Sequence, residues 1–387
     1  MSLFLADSDS LTFLADELRR SAPEAAQTEI AGLGIAADVK LDGLWLAFAR
    51  QTLPEAVEVS AASINAWADR IIDAVAGHFP DDQPWRLHLW PHYGEGRAGQ
   101  NRCELILASV IERMKKKRRH LLRSFVDAES SGSRTSPHPN PFASRLRSPK
   151  GARESEFLPR PAGGERAGVR GGSDSSPAPF TPQTSLVQCI LTSPEAGWLS
   201  TSLAPLPHAH RHLISSFPRG EVPLADDKSA PSRAFTKLVE SEQRLGRRIE
   251  RGQTCVDLGA SPGSWSYVAI QRGAHVIAVD RSELREDLMR SPRLRFEAAD
   301  AFKYQPSQTV DWLVCDVIAA PQRSIDLLLE WLRDKRMRNF VVTLKFKGHD
   351  EYPLLESLKR DAPPLCAEFH LTRLCANKNE VCAFGVV

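Results

Sequence analysis

The chain has 387 residues, 42% of them hydrophobic and 25% charged, which is ordinary soluble composition and enough for two or three domains. Its formal net charge of +2 excludes a globally basic protein, so any nucleic-acid surface has to be local. No apolar run approaches the roughly 20 residues that span a bilayer, residues 1–7 lack the positive start of a signal peptide, and the seven cysteines contain no C-x-x-C pair. The cytoplasm is the expected compartment and the cysteines read as small buried hydrophobes.

Residues 1–50 form a small α+β region, with an amphipathic helix over 11–20 and a short strand over 43–48. Then come a helix over 63–79, a strand over 85–90 and a long helix over 101–125. That helix ends in Arg113, Lys115, Lys116, Lys117, Arg118 and Arg119, a cluster suited to neutralising phosphates, although a solvated helix face gives the same pattern. Residues 127–184 are rich in Ser, Pro, Gly and Arg without periodic hydrophobics, which predicts a disordered insertion carrying no site. A strand over 186–191 and a hairpin partner over 195–200 resume beyond it, so the insertion interrupts one domain, 51–205. A linker, 206–231, contains His208, His210 and His212, but no cysteine or carboxylate completes a shell and no metal site is expected.

Residues 254–258 form an apolar run closing in Asp-Leu-Gly, followed by Gly259, Ala260, Ser261, Pro262, Gly263, Ser264 and Trp265. This reads as a buried strand turning through glycines into a helix whose first N–H groups can meet a ligand. A dinucleotide fold would show G-x-G-x-x-G here; the spacing from Gly259 to Gly263 disfavours it. Residues 275–280 and 296–300 read as the next two strands, ending in Asp280, placed for ribose hydroxyls, and Asp300, placed for an adenine amino group. A glycine turn followed by two strand-end aspartates predicts a pocket for S-adenosylmethionine. Runs over 310–316 and 339–345 place Asp316 and Lys345 at the carboxyl edge of the sheet, Glu380 opens the last strand, and Lys237 lies on the helix before the first. The four should converge on one cleft.

Residues 232–238, the Asp-Leu-Gly-Ala-x-Pro-Gly turn, Asp316, Lys345 and Glu380 together resemble the FtsJ-like RNA ribose 2′-O-methyltransferases with their Lys-Asp-Lys-Glu tetrad. The resemblance covers mainly 232–387 and implies a Rossmann-like α/β methyltransferase domain. Within the family the chain is most similar to the group that methylates a cytidine ribose of 23S ribosomal RNA and carries a THUMP RNA-binding domain in front. It departs in having Ser264 where the family has a second glycine, a shorter N-terminal region and the long insertion. A ribose hydroxyl is a weak nucleophile, so a base must take its proton as it attacks. The resemblance implies Lys345 as that base, Asp316 holding it beside the cofactor, Lys237 positioning the hydroxyl or a phosphate, and Glu380 completing the network. Residues 346–349 could add substrate contacts through Phe346 and a flanking cation. Two other readings stand beside this one: a non-catalytic RNA-binding or ribosome-assembly factor, and a methyltransferase acting on a small molecule or protein.

Overall fold

A computed structural model describes residues 1–94, 97–126 and 183–387 of the chain. The first 53 residues build a four-stranded antiparallel sheet, order β2-β3-β1-β4, from β1 (Ser2–Leu5), β2 (Gln27–Ile30), β3 (Gly34–Ala37) and β4 (Gln51–Leu53), with helix α1 (Leu11–Ser21) between β1 and β2. The period-two rule is visible in β1, which is buried on both faces: Leu3 and Leu5 pack with Trp90, Ile190 and Trp198, whereas Phe4 joins Leu14 and Leu18 of α1. The first sheet is therefore sandwiched between a second small sheet on one side and the C-terminal domain on the other.

The second unit is a four-stranded sheet, order β5-β8-β7-β6. Its elements are β5 (Val57–Ser60), α2 (Ile64–His78), β6 (Trp85–Pro91), α3 (Ala98–Lys117), α4 (Arg119–Ser124), β7 (Ser185–Leu191) and β8 (Ala196–Ser202). Ser63 caps α2, its side chain accepting from Ala66 N at 3.1 Å. The chain leaves the sheet at Val126, whose N–H donates to Trp85 O, and Ser185 of β7 pairs with the same Trp85. Both flanks of 127–182 thus belong to one sheet. The expected insertion itself lies, save its last two residues, outside the described residues.

The C-terminal domain is an α/β methyltransferase-type fold: a seven-stranded, mostly parallel sheet in the order β11-β10-β9-β12-β13-β15-β14. It runs through α5 (Phe235–Leu245), β9 (Thr254–Leu258), α6 (Ser264–Gln271), β10 (His275–Asp280), α7 (Glu286–Met289), β11 (Leu294–Ala298), β12 (Val310–Cys315), α8 (Pro321–Arg333), β13 (Met337–Lys345), α9 (Leu355–Asp361), β14 (Glu368–Thr372) and β15 (Glu380–Val386). Alternate residues bury to opposite faces: Leu313 and Cys315 pack with α8 and the first sheet, Trp312 and Val314 with α5 and α6. Such two-sided burial explains the unbroken apolar runs. Strand β15 runs antiparallel to its neighbours β13 and β14.

Several expectations need correction. Residues 43–48 are not a strand: Gly43 turns the chain at φ +75°, and the N–H groups of Ala47 and Phe48 donate to the carboxylate of Glu17, both at 3.0 Å, rather than to a sheet. The first sheet reaches Leu53, past residue 50. The helix expected over 101–125 is two, broken at Arg118 (φ −141°, ψ 52°). Like charges at 115–119 repel along a continuous helix, and the break lets buried Leu121 offer its carbonyl to Trp85 Nε1 at 2.9 Å. The third C-terminal strand ends at Ala298, so Asp300 lies in the loop beyond it. Among the described residues no helix is long and apolar enough to cross a membrane.

Candidate active site

Open α/β sheets gather ligands at the carboxyl ends of their strands, and three charged residues arrive there by register. Lys345, the last residue of β13, is the direct cross-strand partner of Glu380, the first of β15. Opposed residues in an antiparallel pair share a face. Asp316 follows Cys315, which ends β12 beside β13. From the helix packed over the sheet, Lys237 of α5 reaches down: its Nζ donates to both oxygens of Asp316 at 2.9 and 3.0 Å and to Glu380 Oε2 at 2.8 Å. Lys345 Nζ donates to the backbone carbonyl of Asp316 at 2.7 Å and lies 3.1 Å from its carboxylate. All four expected residues meet in one cluster, with side chains 8 to 20% exposed.

The two lysines differ. Burial pulls the Lys237 ammonium down, but Asp316 and Glu380 outweigh it, and its pKa ends above the ordinary value. Lys237 is therefore a fixed positive charge between two acids. Lys345 sits at the more open side, touching one acid and one carbonyl.

The glycine turn lies next to this cluster. Gly259 adopts φ +73°, and a Cβ there would stand 2.8 Å from Val317 Cα, so the turn abuts the loop that follows Asp316. Gly263 adopts φ +106°, and a Cβ there would meet Leu288 Cδ1 at 2.4 Å. Positive φ calls for glycine at both positions, and at Gly259 the neighbouring backbone leaves no room for a Cβ either. Asp280 braces the turn: one carboxylate oxygen accepts Ser261 N at 3.0 Å and the other Ser282 N at 2.9 Å. Ser261 Oγ donates to Glu283 O, and Ala260 and Pro262 complete the loop. Beneath it, buried Asp257 accepts the hydroxyl of Ser266 at 2.7 Å, which fixes the first turn of α6; burial raises its pKa to about 7.

Other expected residues are placed differently. The Trp265 side chain faces inward, 2% exposed, with Nε1 donating to Ala234 O at 2.7 Å, because the indole fills the space between α5 and α6. Ser264 is also buried, its hydroxyl 2.7 Å from that of Ser232. Asp300 is bound to its own loop, accepting Phe302 N at 3.0 Å and Arg281 at 3.1 Å; the Phe302 N–H is the main cause of its lowered pKa. Phe346 is buried against Tyr352, centroids 4.9 Å apart, so its ring packs the core instead of facing a substrate. Within the basic cluster Arg113 pairs with Asp69 and Lys116 with Glu112, each at 2.5 Å, and Arg119 donates to Lys115 O. Lys115, Lys117 and Arg118 remain exposed. His210 pairs with Asp42, and His212 stacks on Trp45 at 3.8 Å while contacting Leu44 O, so the linker histidines tie the linker to the first module.

Sequence reasoning gave no role to Ser232, which links the turn to the start of the Lys237 helix, or to Asp257, which holds Ser266 at the start of α6. Asp257 was legible only as part of an apolar run, and Ser232 gave no periodic signal.

Residues 230–346 match the family described as FtsJ-like methyltransferase. Over 144 residues, 36% of this chain and 41% of the relative, the chain is 38% identical to a Marinomonas protein named Ribosomal RNA large subunit methyltransferase M. Proteins of the same name are 40% identical over 172 residues in Halorhodospira halophila (44% of this chain, 51% of the relative) and 30% identical over 210 residues in Thauera aminoaromatica (51% and 56%). The chain spans about half the length of these curated relatives, 41 to 56%.

Proposed function

Starting from the FtsJ-like methyltransferase domain that the chain carries at residues 230–346, we propose that it methylates the 2′-hydroxyl of a ribose in large-subunit ribosomal RNA, at a cytidine, with S-adenosylmethionine as methyl donor. The observation that carries the reading is the meeting of Lys237, Asp316, Lys345 and Glu380 beside the glycine turn. The names of the relatives, each a ribosomal RNA large subunit methyltransferase, support the substrate class.

The residues fit the cofactor. Each Asp280 oxygen accepts one backbone N–H and keeps a second lone pair for a ligand hydroxyl. Asp300, although held by Arg281 and Phe302 N, has the same spare acceptor capacity. Backbone groups of Gly259, Ala260, Ser261, Pro262, Gly263 and Ser264, with Asp316, would line the remainder. When bound, S-adenosylmethionine supplies an electrophilic methyl group on a positively charged sulfur.

The chain's own residues do the rest. Lys345, in its neutral form, takes the proton from the ribose 2′-hydroxyl as the oxygen attacks. Asp316 aims Lys345 through its carbonyl and carboxylate. Lys237 stays charged and holds Asp316 and Glu380 in place; it would position the hydroxyl or a phosphate by turning one of these three donors to it. Most of the acceleration comes from alignment, which a rigid four-residue network supplies. In this reading residues 51–205 are a THUMP-like RNA-binding unit, and exposed Lys115, Lys117 and Arg118 meet phosphates.

The test is transfer of labelled methyl to an unmodified 23S ribosomal RNA transcript by the purified protein. Label recovered on a ribose 2′-oxygen is the expected result; label on a base, or none, overturns the reading.

A further inference from the structure

Lys345 and Glu380 form the last rung of the β13–β15 ladder. Local opening starts at such ends, whereas groups that move a proton have to be held to within roughly 0.5 Å. Three hydrogen bonds just beyond this rung close it. Phe346 N donates to Asn379 O at 3.0 Å, Asn379 Nδ2 donates to Phe346 O at 2.8 Å, and the Tyr352 hydroxyl donates to Asn379 Oδ1. The Asn379 side chain thus uses both a donor and its acceptor in the closure.

Burial shows which face does what. Along β13, Val342 and Leu344 pack with α8 and the first module, and Val341 with α5 and α6. By the same alternation Lys345 stands on the α5 face, where the four charged residues meet, and Phe346 on the opposite one, 6% exposed. In β15 Val381 packs with the Phe346 side and Cys382 with α5, so Glu380 shares the face of Lys345 and Asn379 belongs to the other. The clasp therefore lies behind the catalytic pair and acts on it through the backbone. Its far end is immobile: Tyr352, in the short 3-10 helix His349–Leu354 after β13, is buried, with its ring 4.7 Å from that of Phe48 and 4.9 Å from those of Phe13 and Phe346. Phe13 and Phe48 come from the first module, which thus anchors the clasp.

We infer that Asn379 is a positioning residue for methyl transfer: its carboxamide, held by Tyr352, locks the open end of the ladder and so sets Lys345 opposite Glu380. The inference rests on the RNA-methylating reading above. A side chain without an amide at this position leaves the Phe346 carbonyl to water, and the rung that carries the two catalytic residues opens.

The test is single-turnover methyl transfer by the full chain to an unmodified 23S ribosomal RNA transcript, with hydrogen exchange at the Phe346 amide as the second measurement. Asn379→Ala should slow the maximal rate roughly ten- to a hundredfold, as a displacement of up to about 1 Å does. The RNA concentration at half-maximal rate and the Kd for S-adenosylmethionine should hold, because the cofactor turn lies across β12. Asn379→Asp sets a carboxylate against the Phe346 carbonyl and should do no better, whereas Asn379→Gln keeps donor and acceptor and should recover part of the rate. Tyr352→Phe should slow transfer less, and added to Asn379→Ala it should change nothing further, since the two groups share one hydrogen bond. An unchanged rate in Asn379→Ala, or additive losses in the double variant, overturns the inference. So does a loss of cofactor affinity that matches the loss of rate, which would make Asn379 structural only. A wild-type protein that places no methyl on ribose sinks the parent reading; faster exchange at Phe346 in Asn379→Ala then still supports the clasp, and unchanged exchange overturns it.

Discussion

Lys345 grips Asp316 at two points, its Nζ donating to the backbone carbonyl at 2.7 Å and lying 3.1 Å from the carboxylate. A lysine held this way has its position fixed by one neighbour while its side chain stays 19% exposed. Lys345→Ala is expected to abolish methyl transfer and leave the Kd for S-adenosylmethionine, read by calorimetry, unchanged. Lys345→Arg keeps the charge but cannot give up its proton, so it should fail equally. Activity in the arginine variant would show that residue 345 contributes charge alone.

Lys237 should behave differently. Its removal as Lys237→Met leaves Asp316 and Glu380 facing each other without the cation they share. The cost is on the order of 3 kcal/mol of stability, read as a lower denaturant midpoint. A melting temperature equal to that of the wild type would contradict the network.

Ser264 stands where the resembling family has a glycine, and its hydroxyl lies 2.7 Å from Ser232, which in turn accepts Ala234 N at 3.2 Å. The pair links the glycine turn to the start of the helix that carries Lys237. Ser232→Ala and Ser264→Gly should each cost about 1 kcal/mol and reduce kcat, since both loosen α5 against the turn. The double variant should lose little more than either single one, because the two hydroxyls share one hydrogen bond. Additive losses would show that the residues act separately.

The C-terminal sheet was legible because its strands are buried on both faces and read as apolar runs, and because charged residues stand at their ends. Asp316, Lys345 and Glu380 could be placed from that pattern alone. What could not be read was long-range: Glu17 looks like a solvated helix residue, and only the fold brings Lys359 and the N–H groups of Ala47 and Phe48 to it. The same holds for Trp265, whose place in the turn motif concealed an indole needed for packing against Ala234. Segment 43–48 misled because its apolar side chains point into a core while its N–H groups answer to a carboxylate.

Glu17→Ala removes the acceptor for two backbone N–H groups and for a lysine that is 6% exposed. Breaking such a buried pair from one side costs about 3 to 5 kcal/mol. The first module should loosen from the methyltransferase domain, seen as faster hydrogen exchange at Ala47 and Phe48. Glu17→Gln keeps one acceptor oxygen and should lie between the variant and the wild type. Exchange at these amides unchanged in Glu17→Ala would refute the attachment.

Asp257 makes stability depend on pH in a defined window. Burial raises its pKa in the folded chain from 3.8 to about 7, against the opposing hydrogen bonds of Ser266. The folded state then holds a proton that the unfolded state has already released, so stability falls as pH rises from about 4 to about 7 and levels off above that. Asp257→Asn has no proton to lose. The melting temperature of the variant minus that of the wild type should therefore climb across the window and flatten beyond it, all other groups cancelling in the difference. A difference that does not change with pH would mean that Asp257 is ionised throughout this range in the folded chain.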